Sequence, residues 1–156
     1  MDAQAQTEAP LGARDAMDVA LLELLRVALA TSLHAAATSS PALTPTQVRV
    51  LTVLAGARDG MTLTDLADVV SLSAPSTSRL CQRLARDGWL VRSAGPGHYV
   101  LVSLTKKGRA GLAAINRKRV APLRRVVDDL PARRRAGLQR ELEELVQRAA
   151  GHPGIW

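Results

Sequence analysis

The sequence predicts a mainly α fold with a small β-wing, and three observations carry that reading. Hydrophobic residues make up 47% of the 156 positions yet include no Phe, one Tyr and two Trp, so packing falls to Leu, Val and Ala at regular helical steps. Two short segments that open with capping residues, at Thr62 and Ser73, meet at a tight turn. Beyond them, two runs of β-forming residues flank the turn-rich Ser93-Ala94-Gly95-Pro96-Gly97-His98. A chain of this length and apolar content is expected to form one compact unit.

Residues 1–14 are polar, Ala-rich and aperiodic, and are expected to be a disordered lead-in. A first helix is predicted from Asp15 to Ala37, because Val19, Leu22, Leu25, Leu29 and Leu33 recur at three- and four-residue steps before the break at Ser39-Ser40-Pro41. Thr44-Pro45-Thr46-Gln47 has the makings of a second start: Thr44 as N-cap, Pro45 at the first helical position, and Gln47 to complete a capping box. Leu43 and Val48 are placed to staple it, and Val48, Leu51, Leu54 and Ala55 form its apolar stripe up to Arg58-Asp59-Gly60. Thr62 and Asp65 repeat the capping logic for a short third helix through Leu66, Ala67 and Val70. After a turn at Ser71-Leu72, Ser73 caps a fourth helix with Pro75 in its first turn and Thr77, Leu80, Cys81 and Leu84 spaced for burial. Asp87-Gly88 closes it. This pair is a helix-turn-helix pattern.

Trp89-Leu90-Val91-Arg92 and Tyr99-Val100-Leu101-Val102-Ser103-Leu104 then read as the arms of a hairpin, or wing. From Thr105, a plausible cap, helical spacing returns through Leu112, Ile115, Leu123, Val126 and Leu130, and after Pro131 through Leu138, Leu142, Leu145 and Ala149. Pro122 falls inside the first of these helices and is expected to bend it or split it into two pieces, since its missing N–H and its ring both oppose the helix. Residues 151–156 are a tail.

Composition narrows the function. Lys and Arg number 21 against 14 Asp and Glu, a formal charge of +7, which attracts polyanions. No stretch approaches the roughly 18 uncharged apolar residues of a membrane span, and MDAQAQTEAP lacks the layout of a signal peptide, so the expected location is cytoplasmic without membrane association. The lone Cys81 cannot form an internal disulfide, and His34, His98 and His152 are too scattered for a metal site, so neither metal nor cofactor is expected. Neither a nucleophile-base constellation nor a phosphate-binding glycine loop is visible, and the chain is not expected to be an enzyme.

The order helix, helix, helix-turn-helix, wing, long helix, final helix resembles the MarR family. Three segments carry the resemblance: LTPTQVRVL at 43–51, SAPSTSRLCQRLARDGWL at 73–90, and LVSLTKKG at 101–108 with its Leu104, Thr105 and Gly108. It spans roughly residues 15–150. The resemblance implies a winged helix-turn-helix DNA-binding domain at 43–104, flanked by an N-terminal dimerisation helix and linker at 15–42 and C-terminal dimerisation helices at 105–150. It further implies a homodimer on a pseudo-palindromic operator, with DNA affinity lowered by a small-molecule effector or by oxidation. The wing departs from the family pattern. Its tip is the short SAGPGH, with His98 near the position where family members carry an arginine for the minor groove.

On the fourth helix the face expected to meet double-stranded DNA is Ser73, Ser76, Ser78, Arg79, Gln82 and Arg83. Ser73, Ser76 and the first-turn N–H groups suit a phosphate. Ser78, Arg79 and Gln82 are better placed for base edges, Arg79 being able to hold guanine and Gln82 adenine by two hydrogen bonds each. Arg83 and Arg86 are expected at phosphates or in solvent, and Arg92 and His98 flank the wing, where a solvated loop histidine is the competing reading for His98. Cys81 lies on the apolar stripe and is read as a small buried hydrophobe rather than a redox sensor. The runs Arg117-Lys118-Arg119, Arg124-Arg125 and Arg133-Arg134-Arg135 read as solvated helix faces. His34 and Arg49 are polar residues that could border an effector cavity.

The α4 residues point to sequence-specific DNA binding, and the resemblance adds to this that the chain is a dimeric transcriptional regulator, a repressor relieved by a ligand. A low-specificity architectural DNA binder and a winged-helix protein-interaction module are the alternatives.

Overall fold

Side-chain oxygens decide where the helices begin. In the computed structural model, which describes residues 16–39, 42–95 and 99–150, the elements in chain order are α1 (Ala16–Ala37), α2 (Pro45–Gly56), β1 (Met61–Thr62), α3 (Leu63–Val70), α4 (Ala74–Arg86), β2 (Leu90–Ala94), β3 (Val100–Leu104), α5 (Lys106–Asp128) and α6 (Ala132–Ala150). The expected lead-in at 1–14, the tail at 151–156 and His98 lie outside the described residues. At α2 the capping box is complete: Gln47 N–H donates to Thr44 Oγ1 at 3.2 Å, and Thr44 N–H donates to Gln47 Oε1 at 2.7 Å. Thr105 Oγ1 accepts from Gly108 N–H at 2.9 Å at the start of α5. At α3 the expected box is only half made. Thr62 Oγ1 accepts from Asp65 N–H at 3.1 Å but donates to Asp65 Oδ2 at 2.7 Å, because the Asp side chain is one methylene shorter than Glu or Gln and meets the hydroxyl instead of the backbone.

The core sits where α2, α3 and α4 meet the sheet. Leu51, Leu54, Leu66, Leu84, Val50, Val102, Thr77 and Cys81 are fully enclosed there, and Leu43 and Val48 are both buried at the start of α2. On α3 the buried set is Leu66, Ala67 and Val70, and on α4 it is Thr77, Leu80, Cys81 and Leu84, as their spacing predicts. On α2 the expectation for Ala55 fails. Ala55 is exposed and Val50 is buried instead, because α2 is enclosed by both α3 and β3 and its covered face is wider than one stripe.

The sheet is antiparallel in the order β1-β3-β2, with Met61 opposite Val102 and with Leu90 to Ala94 paired against Leu104 to Val100. Two residues are too few to show alternation, so β1 is not visible in the sequence. The approach to it requires Gly60: φ is 85°, and a Cβ there would lie 2.9 Å from the Val102 carbonyl oxygen.

The terminal helices depart most from expectation. Val19, Leu22, Leu25, Leu29 and Leu33, the apolar series of α1, are all exposed, and only Ala35 and Ala36 of that helix are buried. Within one chain, α1 packs along α5 through small residues, leaving its leucines outside. With a mean hydropathy of 1.5, α1 is long and apolar enough to cross a membrane by length and composition, contrary to the expectation from uninterrupted apolar runs. Its charged pair, Glu23 and Arg26, bond to each other at 2.9 Å and do not offset the surrounding Leu, Val and Ala. Val126 of α5 and Leu142 and Leu145 of α6 are likewise exposed. Pro122 does not split α5, which runs unbroken from Lys106 to Asp128. Proline removes one bond of the ladder, while the turns on either side keep theirs and Lys118 and Arg119 tie the helix to α1 and its C-terminal turn: Lys118 Nζ donates to the Thr38 carbonyl at 2.6 Å and Arg119 Nε to Ser32 Oγ at 3.0 Å.

Thr77 is fully buried, and its hydroxyl has no hydrogen-bond partner among the described residues. Thr77→Val keeps the shape and removes the unpaired polar atom, so it is expected to stabilise the fold by about 1 kcal/mol, read as a raised midpoint in thermal or urea unfolding.

Candidate nucleic-acid interface and flanking cavity

The orientation of α4 is set before its exposed face is considered. Ser71 ends α3 in the left-handed region (φ 55°), and the N–H groups of Ser71 and Leu72 return to the carbonyls of Asp68 and Ala67 at 3.1 and 3.0 Å. The chain reverses within these residues, and Ser73 starts α4. Ser73 Oγ accepts from Ser76 N–H at 3.4 Å and donates to Ser76 Oγ at 2.9 Å, so the two hydroxyls expected at a phosphate also hold each other in place.

With Thr77, Leu80, Cys81 and Leu84 turned into the core, the opposite face of α4 is settled by helical geometry. Ser73, Arg79, Gln82, Arg83 and Arg86 are exposed, and Ser76 and Ser78 are half-buried. Arg79, Gln82, Arg83 and Arg86 line one shallow depression of about 360 Å³. Among the described residues none of these three arginines is ion-paired, so their charge is uncompensated. The expected α4 residues are therefore brought together on one strip of one helix.

Arg92 is exposed on β2 and shares a depression with Ser93, Ala94, Tyr99 and Val100. Tyr99, 64% exposed, is a solvent-facing aromatic just before β3, a placement its β-forming character does not reveal. Cys81 lies within reach of the Arg92 charge. Burial pushes the Cys81 thiol up from its ordinary value, and Arg92 opposes that shift without cancelling it.

A second concavity, about 340 Å³, lies between α1, α2 and α5. Leu29, Val48, Val53 and Val69 supply apolar wall, and Arg49 and Arg119 supply charge. Arg49 is held by a 3.0 Å bond to the Val69 carbonyl, and Arg119 bonds Ser32 Oγ and, at 3.1 Å, Asn116 Oδ1. Arg49 lines this concavity. His34 is exposed on α1 and does not line this cavity. Arg119 was missed because, in sequence, it is the last member of a basic run of the kind that is usually solvated. Only the packing of α5 on α1 turns it inward.

Two helices joined by a left-handed turn, with a hairpin after them and a third strand completing the sheet, define a winged helix-turn-helix. A family model described as MarR family matches residues 43–98. Among solved structures, the chain is similar to RV1404 from Mycobacterium tuberculosis, at 26% identity over 91% of this chain and 99% of that one, with a TM-score of 0.70. It is similar to a MarR family protein from Bacillus stearothermophilus, at 26% identity over 88% and 99% of the two chains, with a TM-score of 0.67. A MepR mutant of Staphylococcus aureus bound to an oligodeoxyribonucleotide shares the fold at 16% identity over 86% and 98%, with a TM-score of 0.64. No curated protein matches the sequence. The MarR family match thus covers the helix-turn-helix and the start of the wing, and along most of its length the chain shares the fold of these solved winged-helix proteins.

The state of Cys81 can be checked directly. The folded thiol keeps its proton at pH values where the unfolded one loses it, so its contribution makes stability fall as pH rises past about 9. Cys81→Ala is expected to flatten that fall in urea titrations across pH 7 to 10, as roughly estimated from the ordinary thiol range, and the native thiol is expected to react with a disulfide reagent no faster than the protein opens.

Proposed function

We propose that the chain is a homodimeric, sequence-specific DNA-binding repressor whose DNA affinity is lowered by a small anionic, apolar-bodied effector. The observation that carries the DNA reading is the uncompensated strip of α4. Phosphates fix the register of a helix in the major groove and base edges specify sequence, and the strip supplies donors for both. Ser73 and Ser76 suit a phosphate at the helix start, Ser78, Arg79 and Gln82 suit bases or the flanking backbone, and Arg83 and Arg86 suit phosphates. Arg92 extends the contact to the wing. The oligonucleotide-bound MepR structure, sharing this fold, supports DNA as the polyanion.

The dimer is supported by what one chain leaves uncovered. Met17, Leu21, Leu22, Leu24, Leu25, Leu29 and Leu33 cover much of the circumference of α1, and a helix apolar nearly all round is buried in an assembly or in a membrane. The groove between α5 and α6, about 1060 Å³ and lined by Val120, Leu123, Leu138, Leu142 and Val146, is an apolar receptor of matching character on the same chain. A second copy covers both surfaces at once, which favours the soluble dimer over membrane insertion and fits a cytoplasmic regulator. The effector reading rests on the cavity beside α1: apolar walls take a hydrocarbon or aromatic body, and Arg49 and Arg119 take an acidic group.

Two measurements test this reading. Purified protein is titrated with DNA from its own upstream region and with scrambled DNA of equal length, over a range of salt. A preference of about a thousandfold, cut roughly tenfold to a hundredfold by Arg79→Ala, is expected for specific regulation. Equal and steeply salt-dependent binding to both DNAs would instead establish the architectural alternative. Separately, analytical ultracentrifugation is expected to show the wild type at twice the chain mass and Leu25→Glu shifted toward monomer. A wild-type monomer that partitions onto vesicles would overturn the dimer assignment.

A further inference from the structure

The end of α4 must place its last carbonyls somewhere, and the start of α5 receives them. Gly88 (φ 79°) closes α4 in a turn in which Trp89 N–H reaches the Leu84 carbonyl at 2.8 Å and Gly88 N–H the Ala85 carbonyl at 2.9 Å. The carbonyls of Asp87, Gly88 and Trp89 all meet the same short stretch. Lys107 Nζ donates to the Asp87 carbonyl at 2.7 Å, Thr105 Oγ1 donates to that of Gly88 at 2.6 Å, and Thr105 N–H donates to that of Trp89 at 3.1 Å.

Two glycines let the backbones approach this closely. A Cβ on Gly108 would lie 2.1 Å from the Trp89 carbonyl oxygen, and one on Gly111 would lie 2.2 Å from the indole ring. Trp89 is accordingly 3% exposed, wedged between the end of α4 and the first turns of α5. Leu90 and Leu104, the first cross-strand pair of the wing, sit immediately beyond. Recognition helix, wing base and α5 thus share one joint.

We infer that Trp89, Lys107 and Gly111 are positioning residues that lock the DNA-facing helix to α5, so that α4 and α5 move as one body. The inference rests on the DNA-binding reading of α4. Its consequence is mechanical: the long helix that also lines the Arg119 cavity and the α6 groove sets the angle at which α4 is presented. A loose joint would leave the contact residues intact but misaimed. Positioning of this kind is lost when a supporting contact is left slack by about an ångström.

The test uses full-length protein, the upstream DNA and a salt series. Lys107→Met removes one exposed tether, and Gly111→Ala drives a methyl into the indole. Affinity of the folded fraction, with folding followed by circular dichroism, is expected to fall at least threefold in Lys107→Met and at least tenfold in Gly111→Ala, with the dimer retained. The salt slope is expected to stay at the wild-type value. A slope reduced by about one in Lys107→Met would make Lys107 a phosphate contact and overturn its positioning role. Unchanged affinity in the folded fraction of both variants would overturn the joint altogether, and if Gly111→Ala does not fold, Lys107→Met alone decides. Wild-type protein that binds neither upstream nor scrambled DNA would remove the DNA-binding reading itself, a result distinct from variants that bind like wild type.

Discussion

Burial of Thr77, Leu80, Cys81 and Leu84 is the constraint from which the rest of the structure follows. Four residues at three- and four-residue spacing can all be covered only if α4 lies with that stripe on the core, and a helix held by one face has no freedom in the other. The exposed strip from Ser73 to Arg86 is therefore a direct product of packing. The left-handed Ser71 makes the same orientation reachable from α3, and the glycine turn at Gly88 makes it compatible with the wing.

Charge and apolar surface are partitioned with some consistency. Among the described residues the arginines of α4 form no ion pair, whereas Arg124, Arg135 and Arg148 farther along the chain are paired with Asp128 or Glu144. Exposed pairs of this kind contribute about 1 kcal/mol or less, so their significance is neutralisation more than stability. A helical face intended for solvent or for a protein partner benefits from that neutralisation. One facing a polyanion does not. The exposed leucines of α1 and the apolar wall of the α5–α6 groove lie on elements other than α4, apart from its arginine strip.

The polar residues next to the core show how one element serves two purposes. Arg119 is anchored by Ser32 and Asn116 and at the same time lines the cavity between α1, α2 and α5. Thr105 caps α5 and also holds the carbonyls of Gly88 and Trp89. Such doubling means that substitution at either position changes both a helix and what the helix supports.

Local chemistry made much of this legible in advance. The caps at Thr44, Thr62, Ser73 and Thr105 act over three residues, and the stripes of α3 and α4 repeat within one or two turns, so a short window contains both partners of each interaction. The same holds for the two paired strands of the hairpin, Leu90–Ala94 and Val100–Leu104. What stayed hidden involved partners far apart in the chain. The two-residue β1 exists only because β3 passes beside Gly60. Val50 replaces Ala55 because β3 and α3 both cover α2, and Arg119 turns inward because Ser32 stands 87 positions earlier. Trp89, read as a strand residue, became the wedge of a joint once Gly108 and Gly111 were brought against it. The α1 series showed helical spacing without showing what would cover it. Periodicity identifies an apolar face, whereas only the packing of all the elements decides whether that face meets its own chain or is left for another.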